Sequence, residues 1–137
     1  MKNLFLFFCL FVPILAIAQK KPAQKPEPVY TSDKVDSMPH FKGGDWRKVR
    51  FIMDNVKYPQ AEAEAHISGI VYISFTVETD GSLSDIKAVK EKGVAPALIK
   101  EAIRVMYLMP NWDPGKKNGK PVRVQMLLDI KFNAEKI

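Results

Sequence analysis

Gly69-Ile70-Val71-Tyr72-Ile73-Ser74-Phe75-Thr76-Val77-Glu78-Thr79-Asp80-Gly81-Ser82-Leu83 is the stretch on which the fold turns. From Ile70 to Thr79, Val71, Ile73, Phe75 and Val77 alternate with Tyr72, Ser74, Thr76 and Glu78, the period of a half-buried strand. Asp80-Gly81 is a two-residue hairpin signal, so a second strand, Leu83 to about Val89, is expected to return antiparallel. Downstream, Gly93 and Pro96 punctuate the chain before a helix from about Ala97 to Met109, with a stripe of Leu98, Ala102, Met106 and Met109 flanked by Ile99 and Ile103. Pro110 ends it. A loop through Trp112 and Gly115 to Lys120 leads to the last strand, Val122 to Phe132. There Val122, Val124, Met126, Leu128, Ile130 and Phe132 face the core and Arg123, Gln125, Leu127, Asp129 and Lys131 face outward.

Upstream of the first strand, Asp45 can cap a helix running to about Val56, with Trp46, Val49, Ile52, Met53 and Val56 as its buried stripe. Tyr58-Pro59 breaks that helix and opens a short one carrying Ala61, Ala63 and Ala65, closed by Gly69. The element order predicts an α+β fold, a three-stranded antiparallel sheet with helices packed on one face.

The chain starts differently. Lys2 precedes an apolar run, Leu4 to Ala18, that ends in Ala16-Ile17-Ala18 before Gln19-Lys20-Lys21, the layout of a secretory signal over residues 1–18. As a helix the run reaches roughly 22 Å, short of the ~30 Å hydrocarbon core, so cleavage is expected instead of retention as an anchor. Residues 19–38, with Pro22, Pro26, Pro28 and several lysines, read as an extended linker, and residues 39–137 as one domain. Cys9, the sole cysteine, falls in the signal, so the mature chain has neither disulfide nor thiol nucleophile. Its Lys and Arg total 20 (21 minus Lys2) against 15 Asp and Glu, a charge of +5. On an exported protein that reads first as a soluble basic surface, and as a partner signal it favours acidic surfaces or segments over nucleic acid.

The residues offer no catalytic constellation. His40 and His66 lie far apart with no cysteine or His-Glu-x-x-His pattern, which predicts no metal site and no cofactor. Gly115-Lys116-Lys117-Asn118-Gly119-Lys120 has three residues between its glycines where a phosphate loop needs four, and Pro121 follows; it reads as a flexible basic turn. The serines match no nucleophile elbow. An enzyme is therefore not expected. Binding is. A three-stranded sheet has open edges, and the long terminal strand is a template for another chain. Arg123, Gln125, Leu127, Asp129 and Lys131 are the candidate partner-binding residues. Tyr58 and Trp112 join them as aromatics that either cover the core or meet a partner.

Phe41-x-Gly43-Gly44, Tyr58-Pro59, Gly69-Ile70-Val71, Asp80-Gly81-Ser82-Leu83, Glu101-Ala102, Met109-Pro110-x-Trp112-x-Pro114-Gly115 and Asn118-Gly119-Lys120-Pro121-Val122 occur in this order. Together, over about residues 39 to 132, they resemble the C-terminal domain of TonB energy transducers. The resemblance implies a periplasmic domain that grips a segment of an outer-membrane TonB-dependent transporter by strand addition. It also implies an inner-membrane motor as partner, but only where the N-terminus stays in the membrane. The sequence departs from the family pattern in its cleavable start, its short linker, and Ala63 where many members carry Gln. The alternative is a freestanding envelope assembly protein that uses the same edge to form a homodimer.

Overall fold

The computed structural model describes residues 26–137; the apolar start and the first part of the expected linker lie outside the described residues. Three long strands form the centre of the sheet: β2 (Gly69–Val77), β3 (Leu83–Val89) and β5 (Lys120–Phe132). β2 lies in the middle, antiparallel to both neighbours, with Val77 opposite Leu83 on one side and Val124 on the other. Two short strands extend this expected core. β1 (Val29–Tyr30) runs parallel along the outer edge of β5, and β4 (Gly115–Lys117) forms a hairpin with the start of β5.

Val71, Ile73, Phe75 and Val77 are fully buried and meet Ile130 and Phe132 of β5 on the same face. Helix α3 (Pro96–Leu108) lays Leu98, Ala102, Val105 and Met106 onto them. Each large side chain so buried contributes about 1.5–3 kcal/mol relative to exposure. Pro96 opens α3 where an amide donor is not needed. Met109, held extended by the following Pro110, closes it. β3 carries a bulge: Ser74 pairs with Lys87 and Thr76 with Ser84, so Asp85 and Ile86 face Phe75 alone, and Asp85 takes φ +47°.

Three local readings are corrected. Helix α1 (Asp45–Asn55) has Gly44 at its N-cap and no side-chain cap. Its core face is Phe51 and Ile52, with Val56 following, whereas Trp46, Val49 and Met53 of the expected stripe are 69%, 52% and 68% exposed. Apolar residues span a wide arc of this helix, and Phe41, whose ring lies 5.8 Å from that of Phe51, selects which part turns inward. The β2–β3 connection is longer than two residues, with the Glu78 N–H bonding Ser82 O at 2.8 Å and the Gly81 N–H bonding Glu78 O at 2.9 Å. The basic turn is an ordered hairpin, because Asn118 and Gly119 both take positive φ, 51° and 74°, as a two-residue hairpin turn requires. α2 (Gln60–Glu64) is the short alanine-bearing helix expected.

Glu101 of α3 clamps the end of α1. Its carboxylate accepts from Arg104 Nε at 2.8 Å, Arg104 Nη2 at 2.6 Å and the Lys57 N–H at 2.7 Å, while Arg104 Nη2 also donates to Asn55 O at 2.7 Å. The Arg104 hydrogen bond holds the Glu101 carboxyl below its ordinary range, against the opposing effect of desolvation. A carboxylate depressed on folding contributes stability that is present above its unfolded pKa and lost as pH falls through the folded one. Melting temperature is therefore expected to fall as pH drops from about 5 towards 3. Glu101→Gln should lower it at neutral pH and flatten that slope, which thermal melts across the range will test; a slope identical to the parent's would remove Glu101 from the account.

Candidate docking edge

β5 has two sides. Towards β2 it is paired from Val124 to Phe132. On the other side, Arg123 and Val124 face β1, and a short 3-10 turn, Ser32–Lys34, follows. Beyond that point no strand among the described residues pairs with β5 on this side. The direction of its free backbone groups follows from the alternation of an antiparallel ladder. The Glu78 N–H bonds across to Ser82, towards β3. Odd-numbered residues of β2 therefore turn their backbone towards β5, and their register partners are the even-numbered residues of β5. Leu127, Asp129 and Lys131 present N–H and C=O to the open edge.

The odd-numbered side chains share the face away from the core. Arg123 is engaged within the chain: Nε donates to Glu78 Oε2 at 2.7 Å, Nη2 to Glu78 Oε1 at 3.1 Å and Nη1 to Glu27 O at 2.9 Å. The Arg123 bond, helped by the Ser84 hydroxyl and opposed by desolvation, holds Glu78 below the usual carboxylate range. Gln125 Nε2 donates to Ser74 Oγ at 3.0 Å across the strands. Leu127 is 56% exposed. Asp129 and Lys131 are exposed and 3.7 Å apart, an ion pair of little energetic weight.

Two grooves border β5. One, about 460 Å³, begins where β1 ends, at Thr31 and Ser32, and crosses the outward face of the sheet past Gln125 and Leu127 to Ser74 and Val89. The second, about 390 Å³, lies between Val49, Ile52 and Met53 of α1 and Leu128 to Lys131 of β5. The exposed Trp46, Val49 and Met53, at i, i+3 and i+7, form an apolar face on the helix that walls this second groove. Sequence reasoning assigned them to the core; the signal that could have separated them is that α1 carries more apolar residues than one stripe needs.

The two aromatic candidates sit elsewhere. The Tyr58 hydroxyl donates to Ile67 O at 2.6 Å, and its ring stands edge-on to Phe132 at 5.6 Å. Trp112 is 3% exposed, packed between Phe41 and Phe75. The structure thus groups the five β5 candidates along one edge and places Tyr58 and Trp112 in packing. Among the described residues no group of His, Cys, Asp and Glu side chains is arranged to hold a metal ion, and no helix is long and apolar enough to cross a membrane.

The family model of the Gram-negative bacterial TonB protein C-terminal matches residues 54–134. Two solution NMR structures of the Helicobacter pylori TonB C-terminal domain are similar. For residues 179–285 of that protein the identity is 26% and the TM-score 0.48, over 62% of this chain and 75% of the other. For residues 194–285 the identity is 26% and the TM-score 0.49, over 66% and 92%. No curated protein matches.

Proposed function

The chain belongs to the family of Gram-negative bacterial TonB C-terminal domains, and from that premise we propose that it is a non-catalytic periplasmic adaptor whose β5 edge takes up an extended segment of an outer-membrane TonB-dependent transporter. The observation that carries this reading is the open run of outward backbone groups at Leu127, Asp129 and Lys131 beside the apolar wall of α1. Strand addition draws affinity from main-chain hydrogen bonds, each worth about 1 kcal/mol net, and specificity from pockets for alternate side chains. Val49, Ile52 and Met53, which line the groove between α1 and β5, provide the apolar surface for those side chains. Coupling to an inner-membrane motor follows only where Leu4 to Ala18 is retained as an anchor.

Proline at an outward position deletes an edge donor without touching the ladder to β2. Leu127→Pro and Asp129→Pro are therefore expected to keep the circular dichroism spectrum of the parent and to weaken binding of synthetic transporter segments at least tenfold. Gln125→Ala should weaken it less than threefold, because a side chain is lost and no main-chain bond. If both folded proline variants bind like the parent, β5 is not the docking edge. A concentration-dependent dimer that the same substitutions abolish, with no affinity for any segment, would instead support homodimeric assembly through this edge.

A further inference from the structure

The edge is already partly occupied, by the chain itself. Val29 lies in register with Arg123 and Tyr30 with Val124. Arg123 Nη1 reaches the Glu27 carbonyl at 2.9 Å, and Lys117 Nζ lies 4.6 Å from the centroid of the Tyr30 ring. We propose that Glu27–Tyr30 is a displaceable clasp, an edge strand that a docking segment must release in order to pair along the whole of β5. This rests on the reading of β5 as the docking edge and adds how access to it is controlled.

The clasp is built to be weak. Pro26 precedes it and Pro28 lies within it, and neither has an N–H with which to extend the ladder beyond Val29. On the other side the chain turns at once: Thr31 Oγ1 donates to Asp33 Oδ1 at 2.5 Å and Ser32–Lys34 form a 3-10 turn. The pairing is therefore confined to two rungs, in the parallel arrangement that is the less stable of the two per residue. Val29 remains 44% exposed. An incoming extended segment without proline can pair at Arg123 and Gln125 as well as at Leu127, Asp129 and Lys131, so exchange favours the longer strand.

Release need not unravel the linker. A second set of contacts holds it further on: Asp36 Oδ2 accepts the Asn118 N–H at 2.7 Å, and the Lys116 N–H bonds Ser37 O at 2.9 Å. The segment between, 31 to 35, is the place where the chain can swing.

A site that is free for only a fraction of the time binds with its affinity reduced by that fraction. If the clasp is closed about nine-tenths of the time, opening it raises affinity roughly tenfold. The whole chain carrying Val29→Gly and Tyr30→Ala is therefore expected to bind the same synthetic transporter segments roughly three- to tenfold more tightly than the parent. In the parent, the saturating peptide should shift the Tyr30 ring resonances as the ring leaves Lys117. Unchanged affinity in the variant, or Tyr30 resonances that stay put on saturation, overturns the clasp. Either result leaves strand docking intact as long as Leu127→Pro still weakens binding; if Leu127→Pro binds like the parent, it is the docking edge itself that fails.

Discussion

Trp112→Ala is expected to lower the free energy of unfolding by about 3–5 kcal/mol. The ring stands edge-on to Phe75 at 5.3 Å and to Phe41 at 5.8 Å, with Lys48 Nζ 5.9 Å from its centroid. Truncation leaves a cavity between the middle strand and the segment that leads into α1, two parts of the chain that do not otherwise share an element. The indole carries a cost of its own: Nε1 is buried with no hydrogen-bond partner among the described residues. Desolvating a donor without compensation costs about 1–3 kcal/mol, so Trp112→Phe, which removes that donor and keeps most of the packing, should recover much of the loss. Urea titration decides this. A midpoint shift for Trp112→Ala equivalent to less than about 1 kcal/mol, or Trp112→Phe as damaging as Trp112→Ala, would mean that the ring is not the keystone of this corner.

Gly81→Ala is expected to cost more than about 3 kcal/mol and to lower the melting temperature by more than about 10 °C. Two effects combine. Gly81 takes φ +86°, and a Cβ built there would lie 1.9 Å from the Trp112 carbonyl oxygen, a backbone atom that cannot swing aside. The approach is close because the Trp112 N–H donates to Gly81 O at 2.7 Å, which ties the β2–β3 connection to the Trp112 loop. Gly93 provides the control. It has φ +80° and nothing within 4 Å of a built Cβ. Gly93→Ala should therefore show the conformational cost alone, about 1–2 kcal/mol. Equal losses from the two substitutions would show that φ, and not the contact with Trp112, accounts for the first.

The central sheet was legible because β2 alternates from Val71 to Val77 and its inward set is uniformly large and apolar, although its outward Ser74 and Thr76 are buried too. α3 was legible for the same reason, although Val105, a fully buried residue, was not in the expected stripe and Met109 is only partly covered. α1 was misread because helical spacing identifies apolar positions without saying which of two adjacent apolar faces is turned inward, and that choice is made by Phe41. β4 carried its signal in Asn118-Gly119, but Gly115-Lys116-Lys117 has no strand-like alternation to accompany it. β1 could not be read at all: two residues between a proline and a turn acquire their conformation from β5, which lies far along the sequence. The candidate site followed the same division. The outward row on β5 was visible as a parity, while the self-strand beside it and the helix wall above it are products of tertiary structure.

The direction of β1 has a mechanical consequence. Because it runs parallel to β5 and begins at the Arg123 end, its upstream end leaves the domain beside the β4–β5 hairpin. Tension applied there along the axis of β5 would slide β1 lengthwise and load both rungs together, whereas a sideways pull would open them one at a time. Once they yield, residues 27 to 35 can straighten to a length on the order of 30 Å at ~3.3 Å per residue before the contacts of Asp36 and Ser37 take the strain. Under such a load the same few residues would act as a mechanical fuse in series with the domain, yielding before the sheet is disturbed.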